Sequence, residues 1–297
     1  MRELATRTVR SSWQHEIFGQ SARLAFYYFL GIFPAFLLLL LLLSTFIGFG
    51  PELRNTLLDT VQLILPREAS ALVVKTIGEL KAGAAFGTIA LSAVLSAIWA
   101  ILNGAWAMMT GLNKAYAVQE ERSWWRILAI AFALTISLGI IGLLALAGML
   151  YGGRAEEIIG RHVGLHALPA PWRVLQWVVI VMLLFVSFAS LYRFGPNLKD
   201  RRWQWSIPGA VIALVVWVGF TLLLRISEDH FSSSQGIYAG LKPVVGVLLW
   251  LYLTGAAIFI GGEANSEIEK AAAESGDPDV RRPGQQRSGG NRLEGNA

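Results

Sequence analysis

The sequence predicts an all-α polytopic membrane protein of six transmembrane helices, with amphipathic external helices between spans one and two. Three observations carry that prediction. First, 55% of the 297 residues are hydrophobic and only 15% are charged, whereas a soluble domain keeps about 25% charged residues to wet its surface. Second, six stretches are free of Asp, Glu, Lys and Arg, and each reaches the roughly 17–25 residues that cross hydrocarbon. Third, these stretches are apolar all round, as a lipid solvent requires and a water-facing helix does not permit.

The first stretch, residues 24–51, contains PAFLLLLLLLSTF. It is too long for the apolar region of a signal peptide, and no small-residue cleavage pattern follows it, so it is expected to stay as a membrane helix. Pro34 lies within it and is expected to kink it, freeing a backbone carbonyl near Leu30 or Gly31. The other five are residues 82–113, 127–153, 174–192, 203–224 and 243–262. The fifth span holds the run AVIALVVWVGFTLLL.

Residues 52–65, between spans one and two, place Leu53, Leu57, Val61 and Ile64 on one helical face. That pattern fits an amphipathic helix lying on the outer membrane surface, or a cap packed on the bundle. A second short helix is expected over residues 70–81, after Pro66.

Lys and Arg fix the expected orientation. Sixteen lie on the side of the N-terminal tail, the 2–3 loop, the 4–5 loop and the C-terminal tail, against nine on the other. By the positive-inside bias both termini are cytoplasmic. The net charge of +5 is then explained by anionic lipid headgroups, without nucleic acid as a partner. Residues 1–23 form a cytoplasmic segment, 24–270 the membrane domain, and 271–297 a polar tail rich in Gly, Pro and Arg that is expected to be disordered.

Polar groups inside apolar spans are the natural candidates for function. Asn103, in WAILNGAW, lines a substrate path on one reading and makes an interhelical hydrogen bond on the other. Ser92, Ser96 and Ala100 form a small-residue stripe read as packing. Arg193 ends span four, either as an interface anchor or as a cation facing a cavity, with Pro196 close behind as a second kink. Glu263 and Asn265 follow span six after two glycines, and Glu263 is expected to pair with a cation such as Arg193. Trp99 and Trp250 each precede a Gly-Ala pair by five residues, with Asn113 and Asn265 further on. The two helices should run in the same direction, so that match is read as coincidence.

Other chemistry finds little support. His162 and His166, with Glu157 nearby, lack enough ligands for a metal site. Glu228, Asp229 and His230 read as a solvated loop after span five. The absence of cysteine excludes disulfides and thiolate chemistry. No phosphate loop, H-E-x-x-H or G-x-S-x-G is present. No metal, cofactor or enzymatic activity is expected.

Four segments together resemble the YihY/BrkB family of bacterial inner-membrane proteins, formerly labelled ribonuclease BN-like. They are RLAFYYFLGIFPAFLLLLLLLSTF, GLNKAYAVQEERSWWR, LYRFGPNLK and GIYAGLKPVVGVLLWLYLTGAAIFIGGEANSEIEK, in the family's order over about residues 23–270. The resemblance implies six spans in the cytoplasmic membrane, agreeing with the count above, but no settled activity. Its motif positions fall on Pro34, Asn113, Tyr116, Arg193, Pro196, Trp250, Glu263 and Asn265.

Two functions compete on these grounds, and the first leads, motivated by a proline-kinked span, an intramembrane Asn, charges at two span ends and external amphipathic helices. One is a transporter or lipid-translocating protein, with membrane lipids as partners. The other is a non-transporting scaffold or envelope-assembly factor, working as a homo-oligomer or with envelope proteins. The scarcity of charge within the spans favours the scaffold, because ion-coupled carriers usually keep a buried carboxylate. A ribonuclease would need a cytoplasmic cluster of acidic ligands or an acid/base pair, and the sequence offers none.

Overall fold

A computed structural model describes residues 2–46, 86–163, 169–198, 203–231 and 242–275. Among them the chain is helical throughout, in seven helices without strands. These are α1 (Arg2–Gln14), α2 (Ile17–Phe46), α3 (Phe86–Ala115), α4 (Trp124–Val163), α5 (Pro169–Phe194), α6 (Trp203–Phe231) and α7 (Lys242–Glu274). All but α1 contain a stretch long and apolar enough to cross a membrane, so the six-span expectation holds. The external helices expected over 52–65 and 70–81, the residue His166, and the tail beyond 275 lie outside the described residues.

Several boundaries differ from the sequence reading. The N-terminal segment is a helix, α1, and α2 already begins at Ile17. Glu228, Asp229 and His230 continue α6, which runs to Phe231, rather than forming a loop. Pro196 lies beyond the end of α5 in a bend, so it terminates that helix instead of kinking it. Pro34 does lie inside a helix, α2, which continues through it.

The chain divides into two compact units, residues 1–25 with 105–297, and residues 26–104. In the smaller unit, α2 and α3 meet through small residues. Ala93, Ala97, Ala100 and Gly104 are buried, and their spacing places them on one face. A side chain at Gly104 would collide with the ring of Tyr28. Ser92 and Ser96 are exposed, so the packing stripe is offset from the expected one and shares only Ala100 with it. Small residues let backbones approach where no hydrophobic effect drives helices together.

In the larger unit α4 packs on α5, α5 on α6, α6 on α7, and α1 on α7. The α6–α7 contact is the tightest. Gly209 and Gly261 face each other so closely that a Cβ on either would clash with the other's carbonyl oxygen. Ala210, Ala213, Ala256 and Ala257 are fully buried in the same unit. The opposite faces are apolar and exposed, including Ile136, Ile140 and Leu143 on α4, and Val174, Val178 and Val181 on α5. In water such a surface would be a liability; in lipid it is solvated.

Candidate functional site

Buried polar groups concentrate in the larger unit, where α3 ends, α5 gives way to α6, and the second half of α7 lies. They form two systems of different character.

The first ties two short loops together. α3 closes with the residue after its last turn, Ala117, in the left-handed region at φ 50°. Ala117 N donates to the Lys114 carbonyl and Val118 N to the Asn113 carbonyl, the paired bonds of a Schellman cap. The cap brings residues 119–122 back over the helix end. Asn113, buried, donates from Nδ2 to Glu120 Oε2 at 2.8 Å and accepts at Oδ1 from Asn197 N at 2.7 Å. Asn197 Nδ2 in turn donates to the Gln119 carbonyl at 2.8 Å.

Arg122 completes this system. Its guanidinium grips Glu120 with two bonds, 2.7 Å to Oε1 and 2.6 Å to Oε2, and donates to the Gly195 carbonyl at 2.9 Å. Its side chain is only 3% exposed, so the bidentate pairing compensates a charge removed from water. Burial pushes the Glu120 carboxyl up, but the bonds from Arg122 and Asn113 outweigh it and hold the group below its ordinary value of 4.5.

Asn265 extends the satisfied chemistry into the helix packing. Pro208, inside α6, has no N–H and disturbs the turn before it. The neighbouring Gly209 N–H donates to Asn265 Oδ1 at 2.6 Å. Asn265 Nδ2 donates to the Tyr116 hydroxyl at 2.9 Å. A carboxamide at position 265 therefore links α7 to α6 and to the end of α3. Close by, the Tyr192 hydroxyl donates to the Ile258 carbonyl at 2.8 Å, in space left open by Gly261.

The second system is the seam between α1 and α7, which run antiparallel. Arg7 meets Glu274 at 3.0 Å, Ser11 donates to Glu267 Oε1 at 2.9 Å, and His15 Nδ1 lies 2.5 Å from Glu263 Oε1. Lys270 adds a 2.6 Å ion pair to Glu267. The register carries on into α2, where Ser21 lies against Gly255. Exposure falls along the seam: Glu274 is 63% exposed, Glu267 6% and Glu263 0%. At its inner end Glu263 Oε2 has no hydrogen-bond partner among the described residues.

The sequence candidates scatter accordingly. Glu263, Asn265, Asn113 and Tyr116 all fall in these systems, the middle two as structural links. The partner of Glu263 is His15, not Arg193. The Arg193 guanidinium stacks over the Trp203 ring at 4.6 Å and the Phe194 ring at 5.6 Å, an interfacial arrangement. Asn103 belongs to the other unit and donates to the Trp99 carbonyl one turn back in its own helix, at 2.8 Å. Trp250 meets Trp217 edge-on, away from both systems. No group of three or more His, Cys, Asp or Glu suited to a metal occurs among the described residues.

Sequence reasoning missed His15, Ser11, Glu267, Asn197 and the Glu120–Arg122 pair. The seam did leave a signal. Arg7, Ser11 and His15 recur every four residues, and Glu263, Glu267, Lys270 and Glu274 follow at four, three and four. Two complementary helical faces were present, separated by over two hundred residues.

The sequence is similar to that of known proteins. A family model described as "Virulence factor BrkB" matches residues 8–284. The putative ribonuclease-like protein YfkH of Bacillus subtilis is 28% identical over 257 residues, covering 86% of this chain and 91% of that protein. A UPF0761 membrane protein of Idiomarina loihiensis is 26% identical over 102 residues, 34% of this chain and 36% of its own. One from Vibrio cholerae is 30% identical over 98 residues, 32% of this chain and 31% of its own. The chain thus spans about a third of the length of these last two relatives. No solved structure matches the chain.

Proposed function

The chain belongs to the virulence factor BrkB family, and from that premise we propose that it moves a lipid or other amphiphile across the bacterial cytoplasmic membrane. Both termini are cytoplasmic on this reading, which puts the α1–α7 seam and the Glu120–Arg122 clamp on the basic, inner side. Membrane lipids are the immediate partners.

One observation carries the proposal: Glu263, fully buried in a helix long enough to span, with one carboxylate oxygen that finds no hydrogen-bond partner among the described residues. Burying a carboxylate costs several kcal/mol even after relaxation, and within a membrane protein such groups belong to pathways and relays. A scaffold has no use for that expense. The scarcity of charge that favoured the scaffold loses its force once a buried carboxylate is found.

The scaffold reading has its own support in the first polar system, whose buried groups are hydrogen-bonded as a rigid clamp needs. The ribonuclease-like name of the Bacillus subtilis relative points to a third activity, which this proposal sets aside. Nuclease turnover by homogeneous protein would reverse that judgement.

The test is flux in sealed liposomes. Purified protein is expected to move fluorescent phospholipid, or another amphiphile from a panel, between leaflets, and Glu263→Gln is expected to lose at least 90% of that rate while eluting as folded protein. Equal rates in the two proteins would keep lipid movement and remove Glu263 from its path, whereas no movement of any probe would transfer support to the scaffold.

A further inference from the structure

We infer that His15 and Glu263 form a proton-binding site, with Glu263 as the buried acceptor and His15 as its relay to water. The inference rests on the transport reading only for its purpose; the site itself stands on geometry.

The two groups are unequally placed. Glu263 is 0% exposed and His15 28% exposed, with Nδ1 and Oε1 at 2.5 Å. The imidazole ring is the partner of the pair that reaches solvent. Around the carboxylate lie Glu267 and Lys270 from α7, and those two are paired with each other at 2.6 Å. Across the α1–α2 junction Glu16 pairs with Lys114 at 3.4 Å. His15 is the one uncommitted basic group at the carboxylate among these. Oε2 has no hydrogen-bond partner among the described residues, so they stabilise the charged form incompletely. A neutral carboxylic acid answers that deficit by removing the charge.

The step balances without any other reactant. In the resting pair the imidazole carries its proton on Nδ1, facing the carboxylate. A proton from water adds at Nε2, and the Nδ1 proton passes to Oε1. The products are a neutral imidazole protonated at Nε2 and a neutral carboxylic acid, one proton taken up in all. Release reverses both transfers. Histidine suits the task because its ordinary pKa lies within the physiological range.

The junction beneath this pair is strained. Glu16, next to His15, holds φ 54°, a conformation that costs a non-glycine residue about 1–2 kcal/mol. Neutralising Glu263 replaces the charge-assisted hydrogen bond at the inner end of the seam with a weaker neutral one, so loading the site and loosening α1 are linked at one residue.

Infrared difference spectra across a pH step, recorded on full-length protein in lipid nanodiscs, test the site without any transport assay. Among the protonated-carboxyl bands that appear on acidification, the wild-type protein is expected to show one that belongs to Glu263. Glu263→Gln should delete it, Glu263→Asp should move it, and the exposed-end control Glu274→Gln should leave it unchanged. His15→Gln should keep the band but slow its appearance about 100-fold, the scale of positioned acid–base help. A spectrum in which no band responds to either Glu263 substitution, or a Glu263 band that follows added Na⁺ at fixed pH, would overturn the inference, the latter in favour of a metal cation at the same oxygens. The band without flux would sink the transport reading and leave the proton site standing; flux without the band would do the reverse.

Discussion

The two polar systems of the larger unit contain similar residue types and are built to opposite standards. At the loops, Asn113 uses both ends of its carboxamide, Arg122 bonds a carboxylate and a carbonyl, and Asn265 joins three helices. On the seam, Glu263 is as deeply buried yet leaves an oxygen without a donor among the described residues. A fully satisfied buried network stabilises one arrangement and resists change. A half-satisfied carboxylate is better served by a second protonation state, so it marks where the molecule changes state. Gln20 Oε1 and Ser266 Oγ are also buried without a partner among the described residues, and of the three only the Glu263 carboxylate can answer by changing its protonation state.

The strongest way to test the structural side is to disturb the contact beneath Asn265. Gly209→Ala would place a Cβ 2.2 Å from the Gly261 carbonyl oxygen and 2.4 Å from the Asn265 carboxamide. Backbone cannot yield as a flexible side chain would, so the helices must separate. Overpacking typically costs about 1–3 kcal/mol and sometimes more, and this site should lie at the upper end. The expected outcome is loss of monodisperse protein after extraction in mild detergent. A Gly209→Ala protein as thermally stable as wild type would show that α6 and α7 are not in direct backbone contact.

A paired substitution sharpens the comparison itself. Asn265→Ala strands the Gly209 N–H and the Tyr116 hydroxyl, each at about 1–3 kcal/mol. Glu263→Gln replaces a poorly compensated buried charge with a neutral amide of similar shape and is expected to be neutral or stabilising. Thermal unfolding in one detergent should therefore shift down for the first and not for the second. Equal losses would mean that both residues are structural, and the functional assignment of Glu263 would fall.

What the sequence made legible follows the range of the physics involved. Spans are local: a run such as AVIALVVWVGFTLLL reveals its solvent without reference to any other segment, and α2 to α7 bear that out. Glu263 and Asn265 were legible as polar candidates, because a polar residue beside an apolar run is conspicuous, whereas Asn113 stood out only as a motif position of the family resemblance. Partners were not. His15 lies 248 positions from Glu263, and nothing local marks a histidine in a polar N-terminal helix as the mate of a carboxylate. Arg193 was the more obvious cation, but its guanidinium lies on aromatic rings. Asn103 was conspicuous for the same reason as Glu263, yet it spends its amide on Trp99 in its own helix.

Acid provides a smaller test of the loop clamp. Glu120 has its folded pKa below the ordinary 4.5. Its contribution to stability is therefore complete above that ordinary value and is lost as pH falls through the lower, folded value. Wild-type protein should lose thermal stability on acidification below pH 4.5, and Glu120→Gln should lose less over the same interval. Identical acid profiles would mean that the Arg122 contact is not maintained in solution.

The smallest effect is expected at the outer end of the seam, where Arg7 and Glu274 form an exposed ion pair at 3.0 Å. Such pairs contribute about 0–1 kcal/mol and are screened by salt. Arg7→Ala should change the melting temperature by no more than a degree or two, with the difference vanishing in high salt. If α1 instead detaches, seen as rapid proteolysis after Arg2 or Arg10, then its docking depends on the outer pair and not on the buried contacts at Glu267 and Glu263. That result would count against a proton at Glu263 governing the seam, because the energy that holds α1 down would sit three turns away from it.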